Sequence, residues 1–179
     1  SGSKLVKLEL PESFSISNPM VNLITGAEGA TIHSRWLRER PEEYGTQTRQ
    51  RLMVGLLYPA TDYIEALNLR SLVLGDFIAE VFSHADVLHT PVLSSQVPTI
   101  KESDLLSNPG FLESINQMGH CTRPFDYLGL PALAIPAGKT SNGLPTGFQL
   151  IGRSFDEATL FQLAHVYEKE APWSFPEPI

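Results

Sequence analysis

Apolar and polar residues alternate over Val6-Lys7-Leu8-Glu9-Leu10, with Leu5 ahead and Pro11 behind. A period of two bounded by proline predicts a strand. The period then lengthens. Asn18-Pro19 offers a capping side chain followed by a proline suited to a first helical turn. A helix is expected from there to about Arg40, where Pro41 blocks its continuation. A second helical segment starts near Glu42, carries Arg49, Leu52, Met53 and Leu56 at helical spacing, and breaks at Pro59. Thr61-Asp62 is expected to cap a long helix to about His84, with Tyr63, Leu67, Leu74, Phe77, Ile78 and Val81 as its apolar stripe.

Proline then changes the texture. None falls between Met20 and Arg40, whereas seven fall between Pro91 and Pro145. The first half therefore reads as helical and the second as loops and strands. Asp86 to Pro91 suits a short buried strand in a helix-covered sheet. Ser94 to Pro109 reads as a surface loop, and Asn108-Pro109-Gly110 as the start of a helix through about Met118. Leu133 to Pro136 and Gly147 to Ile151 read as strands of one hairpin, turning through Ser141-Asn142-Gly143. Asp156 is expected to cap a last helix to about Glu168, with Ala158, Leu160, Leu163, Ala164 and Val166 inward and an irregular tail after Pro172.

Composition narrows the function classes. The chain has 179 residues, enough for one domain over positions 4–179 once Ser1-Gly2-Ser3 is set aside as an expression scar. A net charge of −7 leaves no basic surplus for a phosphate backbone, so no nucleic-acid partner is expected. No apolar run approaches ~18 residues, so no membrane span is expected. With no secretory apolar stretch near the start, the expected compartment is the cytoplasm. Cys121 is the single cysteine, which excludes an internal disulfide and a multi-cysteine metal site.

Candidate chemistry is sparse. His120-Cys121 looks like a nucleophile and base, but neighbours in sequence seldom converge in space. A buried cysteine beside a polar histidine is the plainer role. Ser94-Ser95 lacks both a base and a surrounding glycine-rich stretch to supply oxyanion donors. The five histidines (His33, His84, His89, His120 and His165) show no metal-ligand spacing, and neither a metal nor a cofactor is expected. A lysine base has to be desolvated to lower its pKa. None of the five lysines, Lys4, Lys7, Lys101, Lys139 and Lys169, lies in an apolar context.

The most distinctive stretch runs from Cys121-Thr122-Arg123-Pro124-Phe125-Asp126-Tyr127-Leu128-Gly129-Leu130-Pro131-Ala132 to Pro136, then through Gly143-Leu144-Pro145-Thr146-Gly147-Phe148-Gln149-Leu150-Ile151-Gly152 to Phe155-Asp156-Glu157. Physically it is a tightly packed strand–turn–strand with glycines at close backbone approaches. It resembles the carboxyl-terminal part of amidase signature enzymes, whose pattern is T-x-P-x-N-x-x-G-x-P-A-x-x-x-P, a turn, G-L-P-x-G-x-Q-x-I-G and F-D-E-x-x-L. Asp126 stands where that pattern often has Asn. Thr48 to Gly55 is similar to the family's R-R-I-M-L-G segment, and Asp86 to Pro91 to its D-V-(apolar)-x-T-P strand. The resemblance covers roughly residues 5–170.

The resemblance implies an α/β fold, with part of a mixed sheet covered by helices, from an enzyme that hydrolyses amide bonds. It implies a serine nucleophile, a second serine in a cis peptide relaying the proton, and a neutral lysine as base. All three belong to the family's amino-terminal half, so no catalytic residue is assigned in this sequence. The expected whole is a carboxyl-terminal portion of an amidase, inactive alone; a degenerate binding or scaffolding module is the alternative. The implied partners are the amino-terminal half of the same protein, a small amide substrate, and a second copy bound through the apolar face that half would cover. In the tRNA-dependent amidotransferase A subunits, an arginine and an aspartate hold the charged ends of glutamine. Arg51 matches the arginine, and Gly119 occupies the aspartate's place. Loss of that carboxylate argues for a general amidase with an uncharged or partly apolar substrate. Arg51, Gly119 and Thr122 are the substrate-binding candidates. A surface salt bridge competes as the role of Arg51, and a plain turn as that of the other two.

Overall fold

The computed structural model describes residues 2–104 and 110–171. Its α/β architecture is a three-stranded sheet with helices on both faces. Helix α1 (Ser17–Glu39) follows directly on a 3₁₀ turn, Glu12–Ile16. A second 3₁₀ turn, Pro41–Glu43, leads into α2 (Thr46–Gly55), and α3 (Ala60–Phe77) continues into a π-helical turn, Ile78–Phe82. Strand β1 (Leu88–Pro91) comes next, then α4 (Phe111–Gly119) and α5 (Arg123–Leu128). The hairpin β2 (Ala132–Lys139) and β3 (Pro145–Ile151) precedes α6 (Glu157–Glu170). The expected helix start at Asn108-Pro109, and the tail after Pro172, lie outside the described residues.

The sheet order is β1-β3-β2, and both pairings are antiparallel. The described strands alone thus form no mixed sheet. The predicted turn is present: Gly143 takes φ +83° and its N–H donates to the Thr140 carbonyl at 2.9 Å. Successive residues of β3 face opposite ways. Leu150 packs with Ile135 of β2 and with Leu160 and Ala164 of α6. Ile151 joins the larger core of Val73, Phe77, Val81, Phe82, Phe125 and Leu128.

Several expectations are corrected. Residues 2–11 form no strand, although Leu8 leans on the core and Leu5 and Val6 are exposed. Alternation gives a strand propensity, but a strand also needs a partner edge, and β1, β2 and β3 pair only with one another. Asn18 and Thr61 do not cap: Ile16 and Pro59 hold the N-cap positions of α1 and α3 without side-chain capping bonds. Asp156 does hold the N-cap position of α6, but its carboxylate accepts from the Thr159 hydroxyl at 2.8 Å. The stripe of α3 is rotated toward smaller residues. Ala66, Val73, Phe77 and Val81 are buried, while Leu67 and Ile78 are exposed. On α6, Leu160 and Ala164 are buried and Ala158 and Val166 are exposed.

Glycines set the packing of α1 on α2. A Cβ on Gly55 would lie 2.0 Å from the carbonyl oxygen of Gly26, and a Cβ on Gly29 would lie 3.1 Å from Leu52. At Gly26 and Gly55 the two helix backbones touch and no side chain fits between them, while Leu52 packs over Gly29. This fixes the height of Arg51, one turn before Gly55, above α1.

Candidate substrate cleft

Two adjoining clefts open where α1, α2 and α4 meet the start of α5. The smaller, about 420 Å³, is lined by Asn22, Gln47, Thr48, Arg51, Asn116 and Arg123 among others. The larger, about 690 Å³, includes Asn18, Ser94, Ser95 and His120. Asn22, Asn116 and Arg123 line both, so the two share a wall.

Arg51 projects from α2 into the smaller cleft. Gly119, the last residue of α4, lines neither; it lies beneath Arg123. A Cβ on Gly119 would stand 2.4 Å from Arg123 Nε and 2.6 Å from its Cζ, so the guanidinium rests on a bare backbone. Thr122 also lines neither cleft; it holds the N-cap position of α5, and its hydroxyl donates to the Gly119 carbonyl at 3.4 Å. Of the three sequence candidates, the fold brings Arg51 to the cleft, sets Gly119 beneath Arg123, and puts Thr122 at the start of α5. The residue missed was Arg123. In the T-x-P pattern it occupies the unspecified position, so the motif directs attention to its neighbours.

Arg123 is held from two sides. Its Nη1 donates to Asn116 Oδ1 and its Nη2 to the Ile115 carbonyl, both at 3.3 Å. Burial lowers its guanidinium below the usual arginine range, and the positive charge of Arg51 lowers it further. Among the described residues, neither arginine forms an ion pair.

The other sequence candidates separate. The His120 ring faces Asn18, with Nδ1 3.3 Å from Asn18 Nδ2. Cys121 instead meets Ser94; burial pushes its thiol up, and the Ser94 hydrogen bond offsets part of that. No Cys–His pair is formed. The Ser94 hydroxyl donates to the Gln117 carbonyl at 3.0 Å, and among the described residues no histidine, lysine or carboxylate hydrogen-bonds to it or to Ser95. All five lysines are exposed, so none has the desolvation a base requires.

A second residue the sequence left unremarked is Gln149, buried on β3. Its Nε2 donates to the Cys121 carbonyl at 2.6 Å, to Thr90 Oγ1 at 3.0 Å and to the Pro91 carbonyl at 3.2 Å. It ties the turn between α4 and α5 to the end of β1, and so supports the wall that carries Arg123. Its place in the G-x-Q segment was the available signal.

The Amidase family profile matches residues 2–161. The chain belongs to the amidase family. Similar sequences within it include a glutamyl-tRNA(Gln) amidotransferase A subunit from Thermosynechococcus vestitus, 34% identical over 88% of this chain and 33% of that protein. One of the same name from Natranaerobius thermophilus is 37% identical over 77% of this chain and 28% of that protein. A crystal structure of an amidase superposes with a TM-score of 0.79 at 26% identity, covering 94% of this chain and 38% of the other. The glutamyl-tRNA(Gln) amidotransferase A subunit of Thermotoga maritima gives 0.64 at 26% identity, over 93% and 36%. The chain thus spans about a third of the length of the curated relatives it matches. No helix among the described residues is long and apolar enough to cross a membrane, and no cluster of metal-ligating side chains occurs among them.

Asp126, in α5, stands where the amidase pattern often has Asn, and burial pushes its carboxyl above the usual range. An acid raised by folding is held less well when charged. Its penalty is full above the folded-state pKa and vanishes below the unfolded one. Asp126→Asn is therefore expected to melt higher than wild type at pH 7, with the gap closing as pH falls through the Asp126 pKa. Melts across pH 3–8 check this; a gap that stays constant or widens toward acid contradicts it.

Proposed function

We propose that this chain is the carboxyl-terminal flank of an amidase, and that the smaller cleft forms part of its substrate wall. The attacking serine, the relay serine and the lysine base would come from protein outside this sequence. The supporting observation is chemical: a family that hydrolyses amides needs a desolvated lysine, and every lysine in this chain is exposed. Arg51 would contact substrate directly, while Gly119 and Thr122 would shape the backbone beneath Arg123. The small amide is gripped at one end here and attacked by groups elsewhere.

The remainder of the amidase is the partner this reading requires. Ile32 on α1, Leu57 after α2 and Ile64 and Leu72 on α3 are each more than half exposed, apolar side chains that such a partner would cover. A second copy would cover the same surface in its absence.

Purified alone, the chain is expected to release no ammonia from small carboxamides, and to self-associate in light scattering. Turnover of a carboxamide at an enzyme-like rate would overturn the proposal. A dilution-resistant monomer would remove the self-association part of it.

A further inference from the structure

We infer that the larger cleft is a subsite for an uncharged amide group, one other than the amide bond that is cut. This rests on the reading that the adjoining smaller cleft lines an amidase pocket. It adds the substrate class: molecules with at least two amide groups, the far one uncharged.

Three observations support it. First, the walls are rich in carboxamides. Asn18 and Asn22 from α1 and Asn116 and Gln117 from α4 line one cleft of about 690 Å³, a volume within the range of small-molecule sites. A carboxamide offers donors and an acceptor in one plane, which is the complement of another amide. Second, much of this capacity is uncommitted. Asn116 Oδ1 accepts from Arg123, and Gln117 Nε2 donates to Glu113. Among the described residues, the Asn22 side chain, Asn116 Nδ2, Gln117 Oε1 and the Ser95 hydroxyl have no protein partner. Third, the His120 ring is set in one tautomer. Asn18 Nδ2 donates to the His120 carbonyl and lies against ring Nδ1, both at 3.3 Å. An N–H at that place makes Nδ1 the acceptor, so the neutral ring carries its proton on Nε2. Nε2 has no protein partner among the described residues, and His120 is exposed in the cleft wall. It is a donor for an amide carbonyl.

Charge selects a neutral guest. Glu113 and Arg123 are the one acid and the one arginine of the lining, and they form no ion pair with each other. A carboxylate meets repulsion from Glu113 and an ammonium group from Arg123, whereas an amide dipole meets neither. A sugar is also neutral, but no Phe, Tyr or Trp lines the cleft to stack on its face. The two clefts share Asn22, Asn116 and Arg123, so one extended molecule reaches both.

The test is an NMR titration of the full 179-residue chain with N-acetylglycinamide, acetate and glucose. N-acetylglycinamide carries two amides and no charge. It is expected to shift the Gln117 side-chain amide and the His120 ring along a saturating curve, and to bind about tenfold more tightly than acetate or glucose. Asn22→Leu and His120→Phe should each weaken it roughly three- to tenfold, as loss of one hydrogen bond gives. Arg35→Gln, on the exposed face of α1, should not.

No saturable shift at Gln117 or His120 overturns the subsite, as does equal or tighter binding of acetate or glucose. So do shifts confined to the Gln47 side chain, which lines the smaller cleft alone, or unchanged affinity in Asn22→Leu. His120→Phe carries the decision if Asn22→Leu disturbs α1, because His120 is exposed. These results leave the amidase reading standing. Release of ammonia from N-acetylglycinamide by the isolated chain would overturn that reading and leave the subsite intact.

Discussion

Phe77→Ala is expected to cost the fold about 3–5 kcal/mol, the largest loss among the substitutions proposed for this chain. Phe77 is fully buried at the end of α3. Its ring stacks on Phe14 at 5.5 Å, and meets Phe82 at 5.4 Å and Phe125 at 6.1 Å edge-on. Those partners belong to the first 3₁₀ turn, the π-helical turn and α5, so one side chain holds four segments. Removing it leaves a cavity that rigid neighbours cannot fill, and three aromatic contacts are lost with it. Since domains of this size are stable by about 5–15 kcal/mol, the variant should retain little margin. Urea melts of wild type, Phe77→Leu and Phe77→Ala should fall in that order. A Phe77→Ala midpoint equal to wild type would show that this core does not pack as described.

Gln149→Leu follows, with an expected loss of about 1–3 kcal/mol and a local effect that distinguishes it from a general core defect. Leucine matches the volume but donates nothing. The carbonyls of Cys121 and Pro91 would both lose the donor that the buried Gln149 supplies, each in a partly buried contact. The turn bearing Cys121 and Arg123 would then lose its tie to β1. Alkylation of the Cys121 thiol should accelerate well before global unfolding, since its burial is what raises its pKa. Wild-type alkylation rates together with wild-type stability would rule out a tethering role for Gln149.

How much of this was legible in the sequence depended on which force decided each element. The β2–β3 hairpin was legible because Ser141-Asn142-Gly143 encodes its turn locally, and the end of α1 and the start of α3 because Pro41 and Pro59 mark them; α2 was expected from about Glu42 and begins at Thr46. The missing strand at Val6–Leu10 shows the opposite case, where pairing decides and local alternation does not. The face of α3 was misread because size was equated with burial. Ala66 is small yet fully buried, and its carbonyl accepts from the buried Tyr127 hydroxyl at 2.6 Å. Helix α5 was not foreseen: six residues among prolines carry too little periodicity to announce themselves. At the cleft, Arg51 was legible through its segment, whereas Arg123 required knowing that the α4–α5 turn folds back over Gly119.

The backbone contact between Gly26 and Gly55 bears on attempts to retune this protein. With backbone against backbone at Gly26 and Gly55, the α1–α2 pair behaves as a fixed jaw, and substitutions on the cleft face of α2 alter its chemistry without altering the gape. Width has to be set from the opposite jaw, at Ile115 and Asn116 on α4. A library aimed at bulkier ligands should therefore yield its improved variants there, and few from α2.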